Sequence, residues 1–166
     1  MFGRITTVAS VAAVLALVPG GAASASAGGA GTTTETIHEH EVVFFSFPVV
    51  NPCSHEPGTI TAVATNSVFH VTEQADGNSW VTGTGEGTAT FTPEQPGGVR
   101  ASGHFTTWFG AAANNKNNVE HSTNTIHLLG TDGSRITLHL REHVSTNGNG
   151  EVKVSVETKT LKAACE

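Results

Sequence analysis

The sequence predicts an all-β domain of about eight antiparallel strands, arranged as an up-and-down barrel that is closed or nearly closed. β-branched and aromatic residues recur in short runs between Gly, Asn, Asp and Pro, and no stretch of eleven or more residues has helical periodicity. Short links between successive runs are typical of a meander. A two-sheet sandwich is the alternative that these patterns leave open.

Eight segments have the composition and length of strands. They are residues 36–47, 59–65, 67–73, 79–92, 99–109, 119–129, 135–145 and 151–161. Turns are predicted at 93–98, at Asp132-Gly133 and at 147–150, where Pro, Gly and Asn concentrate. Residues 111–118, with four Asn, are expected to form the longest exposed loop.

Alternation of side chains along three segments predicts which face of each is buried. The predicted buried faces are Val81, Gly83, Gly85, Gly87, Ala89 and Phe91 in the fourth segment, Ile136, Leu138 and Leu140 in the seventh, and Val152, Val154 and Val156 in the eighth. Repeated glycine in the fourth segment removes side chains and permits sharp bending. Bends of that kind let a sheet close on itself, which favours the barrel.

A polar cluster follows from the pairing of the sixth and seventh segments. If Asp132-Gly133 is a two-residue turn, His127 lies opposite Leu138 and His121 lies opposite Val144. Directly opposed residues share a face. The residues predicted to face inward are His121, Thr123, Thr125, His127 and Glu142, with His139, Arg141 and His143 facing outward, and His70 is expected to join the inward set.

The N-terminal segment is predicted to direct export. Arg4 precedes an apolar stretch over 8–18 and the small-residue pattern Ala25-Ser26-Ala27, the layout of a signal peptide spanning 1–27. The apolar stretch would rise only about 16 Å as a helix, roughly half the thickness of a bilayer core. Residues 28–35 are then a flexible leader and 36–166 a single domain, and the protein is expected to be secreted.

Two cysteines remain in the exported chain. Cys53 and Cys165 are predicted to form one disulfide, because paired cysteines are favoured outside the cytosol. Eight Lys plus Arg stand against 14 Asp plus Glu, and the basic residues are scattered along the chain. That pattern argues against nucleic acid and membrane as partners.

Nine His residues are the one compositional excess that points to a site. The candidate ligand-binding residues are His70, His121, His127, Glu142, Trp80 and Trp108. His38 and His40 are two apart, as two ligands of one metal ion on a strand would be, and they are the weak metal candidates. No nucleophile motif or phosphate loop is present, so the sequence assigns no catalytic residue and no cofactor.

The chain resembles small uncharacterised exported proteins of actinobacteria over almost all of its mature length. The shared features are Asn51-Pro52-Cys53, Gly103-His104-Phe105, Trp108-Phe109-Gly110, residues 130–134, His139, Glu142-His143 and Cys165. The resemblance implies export and the cysteine pair, and it transfers no catalytic residue. At the level of fold it is similar to calycin and allene-oxide-cyclase-like barrels.

Three functions are compatible with these features. The first is a secreted, non-enzymatic barrel that binds a small molecule or an extracellular surface, and it predicts an open cavity. The second is a His-based metal protein or enzyme, which predicts three or more His or carboxylate groups around one point. The third is a structural or interaction module with a filled interior.

Overall fold

All strands of the protein belong to one antiparallel sheet. The computed structural model describes residues 31–114 and 116–165, so the predicted signal segment 1–27 and leader residues 28–30 lie outside the described part. The strands are β1 (Thr33–Glu39), β2 (Val42–Val50), β3 (Pro57–Glu73), β4 (Ser79–Pro93), β5 (Ala101–Ala113), β6 (Asn117–Gly130), β7 (Arg135–Asn147) and β8 (Val152–Ala164). None of these described residues forms a helix that is long and apolar enough to cross a membrane.

The first three strands differ from the predicted segments. β1 and β2 both pair with the same edge of β3, and they are separated by Glu41, whose φ is +56°. The predicted segment 36–47 is therefore two strands, because this left-handed residue interrupts it. The segments 59–65 and 67–73 are one strand, because a β-bulge between Ala64 and Asn66 absorbs the irregularity without ending the ladder. β1 also begins at Thr33, inside the predicted leader.

The sheet continues as a meander from β3 to β8, with each strand bonded to the next. In the described part of the chain no ladder joins β8 to β1 or β2, so hydrogen bonds do not close the predicted barrel. Because every strand lies in one sheet, the two-sheet sandwich is wrong. The predicted disulfide between Cys53 and Cys165 is confirmed, with Cα atoms 5.4 Å apart, and it links the β2–β3 turn to the end of β8.

One face of the sheet, called the inner face, carries the core. Its strand centres carry small residues, including the fully buried Ala62, Ala64 and Ala89. This leaves room for phenylalanines of β2 to reach across to β5, where the ring centroids of Phe45 and Phe105 are 5.4 Å apart. The predicted inner face of β4 is confirmed, as is that of β7 through Ile136 and Leu138.

The interior of the curled sheet is filled. The space left between Val49, Phe91, Leu138 and Leu161 measures about 10 Å³. A void of that size holds one water molecule at most. The open interior cavity that the first function predicts is not found among the described residues.

The β6–β7 hairpin has a three-residue loop where a two-residue turn was predicted. Gly130 N–H donates to the Ser134 carbonyl at 2.7 Å, and Gly133 adopts a φ of +86°. A turn followed by a left-handed glycine is a common three-residue hairpin. The extra loop residue shifts the register by one, so that His127 lies opposite Thr137 and His121 opposite His143.

This shift reverses the faces predicted for β6. Ile126 and Leu128 are buried on the inner face, whereas His121 and His127 are exposed on the other face. The prediction that these histidines face inward is therefore wrong. His139, Arg141 and His143 do lie outward, as predicted, because the buried face of β7 was assigned correctly; Glu142 lies on the inner face.

Two further expectations are corrected at strand ends and edges. The predicted long loop 111–118 is a tight turn, because β5 extends to Ala113 and the side chain of Asn114 accepts hydrogen bonds from Lys116 N and Asn117 N, each at 2.8 Å. The predicted buried face of β8 is also wrong, since Val152, Val154 and Val156 are 60%, 43% and 52% exposed. β8 is the last strand of the sheet, and no other element covers it in the described part of the chain.

Candidate functional site

The sequence-predicted site residues are brought together on the outer face, the side of the sheet opposite the core. Five of the six candidates lie there, and only Glu142 lies on the inner face. The outer-face candidates are His70 on β3, Trp80 on β4, Trp108 on β5, and His121 and His127 on β6. The register places them in rows that run across the strands, so the sheet itself fixes their separations.

Two exposed tryptophans project from this face. Trp80 is 40% exposed and Trp108 is 48% exposed. Trp80 lies opposite Ala112, and between Ala112 and Trp108 the outer position of β5 is Gly110. These small residues leave both indole rings accessible. Both tryptophans point away from the core.

A shallow hollow of about 340 Å³ lies beside Trp108. It is lined by Asn66, Val68, Thr84, Gly85, Glu86, Thr106 and Thr107, which belong to β3, β4 and β5. Thr84 is the direct cross-strand partner of Trp108. The hollow therefore combines amide, carboxylate and hydroxyl groups with an adjacent exposed indole, and it opens to solvent on the outer face.

Histidines occupy matching positions on β5, β6 and β7. The rings of His104 and His127 are tilted by 36° relative to each other, with centroids 5.0 Å apart. Those of His121 and His143 are 4.7 Å apart, with their Nδ1 atoms at 2.8 Å. A contact of that length requires one Nδ1 to carry hydrogen and the other to accept it.

His139 lies between two hydrogen-bond partners. Its Nε2 accepts from Arg141 Nε at 3.0 Å, and its Nδ1 lies 2.9 Å from Thr125 Oγ1. Because Nε2 accepts, Nδ1 carries the hydrogen and donates to the threonine. Threonines between the histidines thus fix the orientation of the rings; His127 Nδ1 similarly lies 3.1 Å from Thr137 Oγ1.

Glu142 is half-buried on the inner face, apart from the other candidates. Burial raises the pKa of its carboxyl, and the negative charges of Glu157 and Glu120 raise it further. Glu157 is its direct cross-strand partner on β8. Like charges directly opposite each other destabilise a sheet. Glu142 therefore belongs to an acidic group on the inner face and contacts none of the outer-face histidines.

The weak metal candidates lie at the end of β1. His38 lies in β1, and His40 follows the end of that strand with its Nδ1 3.1 Å from the Thr65 carbonyl oxygen. Within residues 31–114 and 116–165, no three His, Cys, Asp or Glu side chains are placed to hold one metal ion. The convergence that the metal or enzyme hypothesis requires is thus not present in that part of the molecule.

Sequence reasoning missed the hollow and the partners of the histidines. A signal for the hollow was present, because Thr82, Thr84, Thr88 and Thr90 alternate with the glycine face of β4 and so belong to the outer face. The bulge that places Asn66 beside Glu86 has no such signal. Comparisons with protein-family models, curated proteins and solved structures found no match.

Proposed function

We propose that the protein is an exported, non-enzymatic module that binds an extracellular glycan through the outer face of its sheet. The observation that carries the proposal is the solvent-open hollow beside Trp108, lined by polar side chains of three neighbouring strands. Sugar rings stack on exposed indoles through their apolar faces, while their hydroxyl groups need donors and acceptors. Asn66, Thr84 and Glu86 supply both kinds of group, and Thr84 is the cross-strand partner of Trp108.

The filled interior favours a binding site on the outer surface rather than a pocket inside a barrel. The pocket between Val49, Phe91 and Leu161 on the inner face measures about 10 Å³, whereas ligand pockets begin at about 300 Å³. The disulfide that ties the two ends of the sheet fits an oxidising, extracellular setting and the export predicted for residues 1–27. We take the curled sheet to be a barrel with one unbonded seam, held at one end by that disulfide.

Titration with neutral polysaccharides tests the proposal at the tryptophans. The folded mature protein is titrated at pH 7.5 with soluble β-glucan, xylan and dextran while its intrinsic fluorescence is followed. Binding to at least one polysaccharide is expected, and Trp108→Ala should weaken it by about tenfold, which corresponds to about 1.4 kcal/mol.

Trp80→Ala is the matched control. It removes an exposed indole from the same face. Trp80 lies two outer positions along β4 from Thr84, which lines the hollow. Affinity should change by less than about twofold in this variant. Equal losses in both variants, or no binding to any of the three polysaccharides, would contradict the proposed site.

A further inference from the structure

The outer face of β5–β8 has an unusual distribution of charge. Its ionisable side chains are all basic, and we call them the basic patch: His104, His121, His127, Arg135, His139, Arg141, His143 and Lys162. No Asp or Glu occupies an outer position of these four strands in the described residues. Yet the whole chain carries 14 acidic residues against eight Lys and Arg.

The acids of the same strands lie on the opposite side. Glu120, Glu142 and Glu157 face inward, where Lys159, opposite Leu140, is the one basic residue at a paired inner position of these four strands in the described residues. On the neighbouring strand β4 the single charged outer residue is Glu86, at the border with β5. The turns at the strand ends carry Lys116, Asp132 and Glu151. Glu151 forms an ion pair with Lys153, the second residue of β8, with Nζ and Oε2 2.9 Å apart.

From this arrangement we infer that the basic patch binds the anionic substituents of a glycan, namely sulfate or phosphate esters, and binds them more tightly in acid. The inference rests on the proposed function, because it takes the partner in the neighbouring hollow to be a glycan. A glycan seated beside Trp108 extends directly over β6 and β7, since Trp108 lies opposite Thr123 and Thr123 opposite Arg141.

The permanent charge of the basic patch is modest at neutral pH. Arg135, Arg141 and Lys162 supply three positive charges across the rows of the sheet. Outer positions are about 4.8 Å apart between strands and about 6.8 Å apart along a strand. Ester groups of a polymer can therefore contact several of these cations at once, which makes their weak individual attractions additive.

Protonation of histidine adds positive charge to the basic patch. An imidazole gains a proton as the pH falls through about 6.5. His104, His121 and His127 are exposed and His143 is half-exposed, so an anion can contact their cationic forms. His139 is left out of the set because its Nε2 accepts a hydrogen bond from Arg141. The patch then carries up to seven positive charges, four from histidine and three permanent.

The contact between His121 and His143 links protonation of the basic patch to anion binding. The pair can add one proton at a free Nε2 and keep its Nδ1–Nδ1 hydrogen bond. A second proton removes the accepting nitrogen and places two like charges at 2.8 Å. A bound sulfate or phosphate compensates that repulsion by accepting from both rings. Anion binding should therefore be accompanied by proton uptake.

Affinity for dextran sulfate, dextran phosphate and unmodified dextran at pH 7.5 and pH 5.5 tests the inference. Wild-type protein is expected to bind both anionic dextrans at least about tenfold more tightly at pH 5.5, with binding weakened by added NaCl. Preference for one anionic dextran distinguishes sulfate from phosphate as the natural substituent. The double variant His121→Gln/His143→Gln should show a clearly smaller rise, because it keeps only two of the four histidines.

His38→Gln/His40→Gln is the matched control, because it removes two imidazoles from the edge of the sheet near β1. It should keep the full rise, and circular dichroism at both pH values verifies the fold of each variant. A wild-type affinity equal at the two pH values, or a rise that is undiminished in the His121→Gln/His143→Gln variant, would overturn the inference. An equal loss of the acid-dependent rise in the His38→Gln/His40→Gln control would also overturn it.

The outcomes separate this inference from the proposed function. Neutral polysaccharide binding that depends on Trp108, without an acid-dependent gain for the anionic dextrans, leaves the proposed function standing and removes the inference. Acid-dependent binding of anionic dextrans without any neutral polysaccharide binding retains the charged site and removes the neutral glycan hollow. Failure of both titrations rejects both.

Discussion

At the scale of single residues, neighbours across the sheet decide what each polar side chain can do. His121 and His143 interact because they are cross-strand partners, although 22 positions separate them in the sequence. Glu142 is also placed opposite an ionisable residue, but its cross-strand partner Glu157 has a like charge, so their contact is repulsive. Register therefore determines both the attractive and the repulsive contacts.

Replacement of Glu142 by Gln is expected to stabilise the protein at neutral pH. Burial and two nearby carboxylates raise the pKa of Glu142 in the folded state, so folding favours its neutral form. Its stabilising contribution is complete below the unfolded-state pKa near 4.5 and is lost as the pH rises through the folded-state pKa. Glu142→Gln should raise the free energy of unfolding at pH 7 by less than about 1 kcal/mol, because the carboxyl is largely solvent-screened.

Urea denaturation at pH 4 and pH 7 measures this effect. The variant and the wild type should have nearly equal stability at pH 4 and diverge at pH 7. Glu35→Gln is the control, because Glu35 is exposed on β1 and lies opposite Val71, which carries no charge. A Gln variant less stable than wild type at pH 7 would show that the ionised carboxylate is stabilised by its surroundings.

At the scale of strands and turns, loop length controls the assignment of faces. The Asp132-Gly133 signal correctly located the β6–β7 hairpin, but one additional loop residue exchanged the buried and exposed sides of β6. Ser134, which is fully buried, donates to Asp132 Oδ1 through its hydroxyl at 2.6 Å and through its backbone N–H at 3.0 Å. These bonds, led by that of the hydroxyl, lower the pKa of Asp132.

Gly133→Ala is expected to destabilise the hairpin. Gly133 has a φ of +86°, a conformation that costs an L-residue with a Cβ roughly 1–2 kcal/mol. The free energy of unfolding should fall by about that amount in urea denaturation. Gly148→Ala in the next hairpin is the control, since Gly148 is exposed and is not among the left-handed glycines of the described chain. Equal effects of the two substitutions would argue against the three-residue loop.

At the scale of the whole molecule, the disulfide joins the two ends of the sheet, which no strand pairing joins in the described residues. In the described residues β8 pairs with β7 along one edge and with no strand along the other, and it is exposed along its length. Cys165, directly after β8, is bonded to Cys53 across a sequence separation of 112 residues. The covalent link therefore holds the last strand near the β2–β3 turn, where side-chain burial contributes little.

Removal of the disulfide should lower stability substantially. For a closed loop on the order of 100 residues, chain entropy predicts about 4.7 kcal/mol, and measured losses usually range from about 2 to 5 kcal/mol. Urea denaturation of Cys53→Ser/Cys165→Ser should give a decrease in this range. Reduced wild-type protein should match the variant, and added reductant should leave the variant unchanged. A variant as stable as the oxidised protein would show that the edges are held by other contacts.

The sequence alone determined the elements that depend on local chemistry. Alternation fixed the inner faces of β4 and β7, because side chains of a strand point to opposite sides whatever surrounds them. The two cysteines, in a chain whose N-terminal sequence predicts export, were enough to predict their pairing. The buried positions Ile126 and Leu128 also show that β6 carried its own signal, which the assumed turn type overrode.

Tertiary structure decided everything that depends on register between distant segments. Most basic residues of β5–β8 converge on one face, and the acids of the same strands lie on the other face together with Lys159. A shift of one residue exchanges these faces, and the shift arises from the length of a single loop. The sequence therefore specified strands and a crosslink, while the folded sheet specified which side chains share a surface.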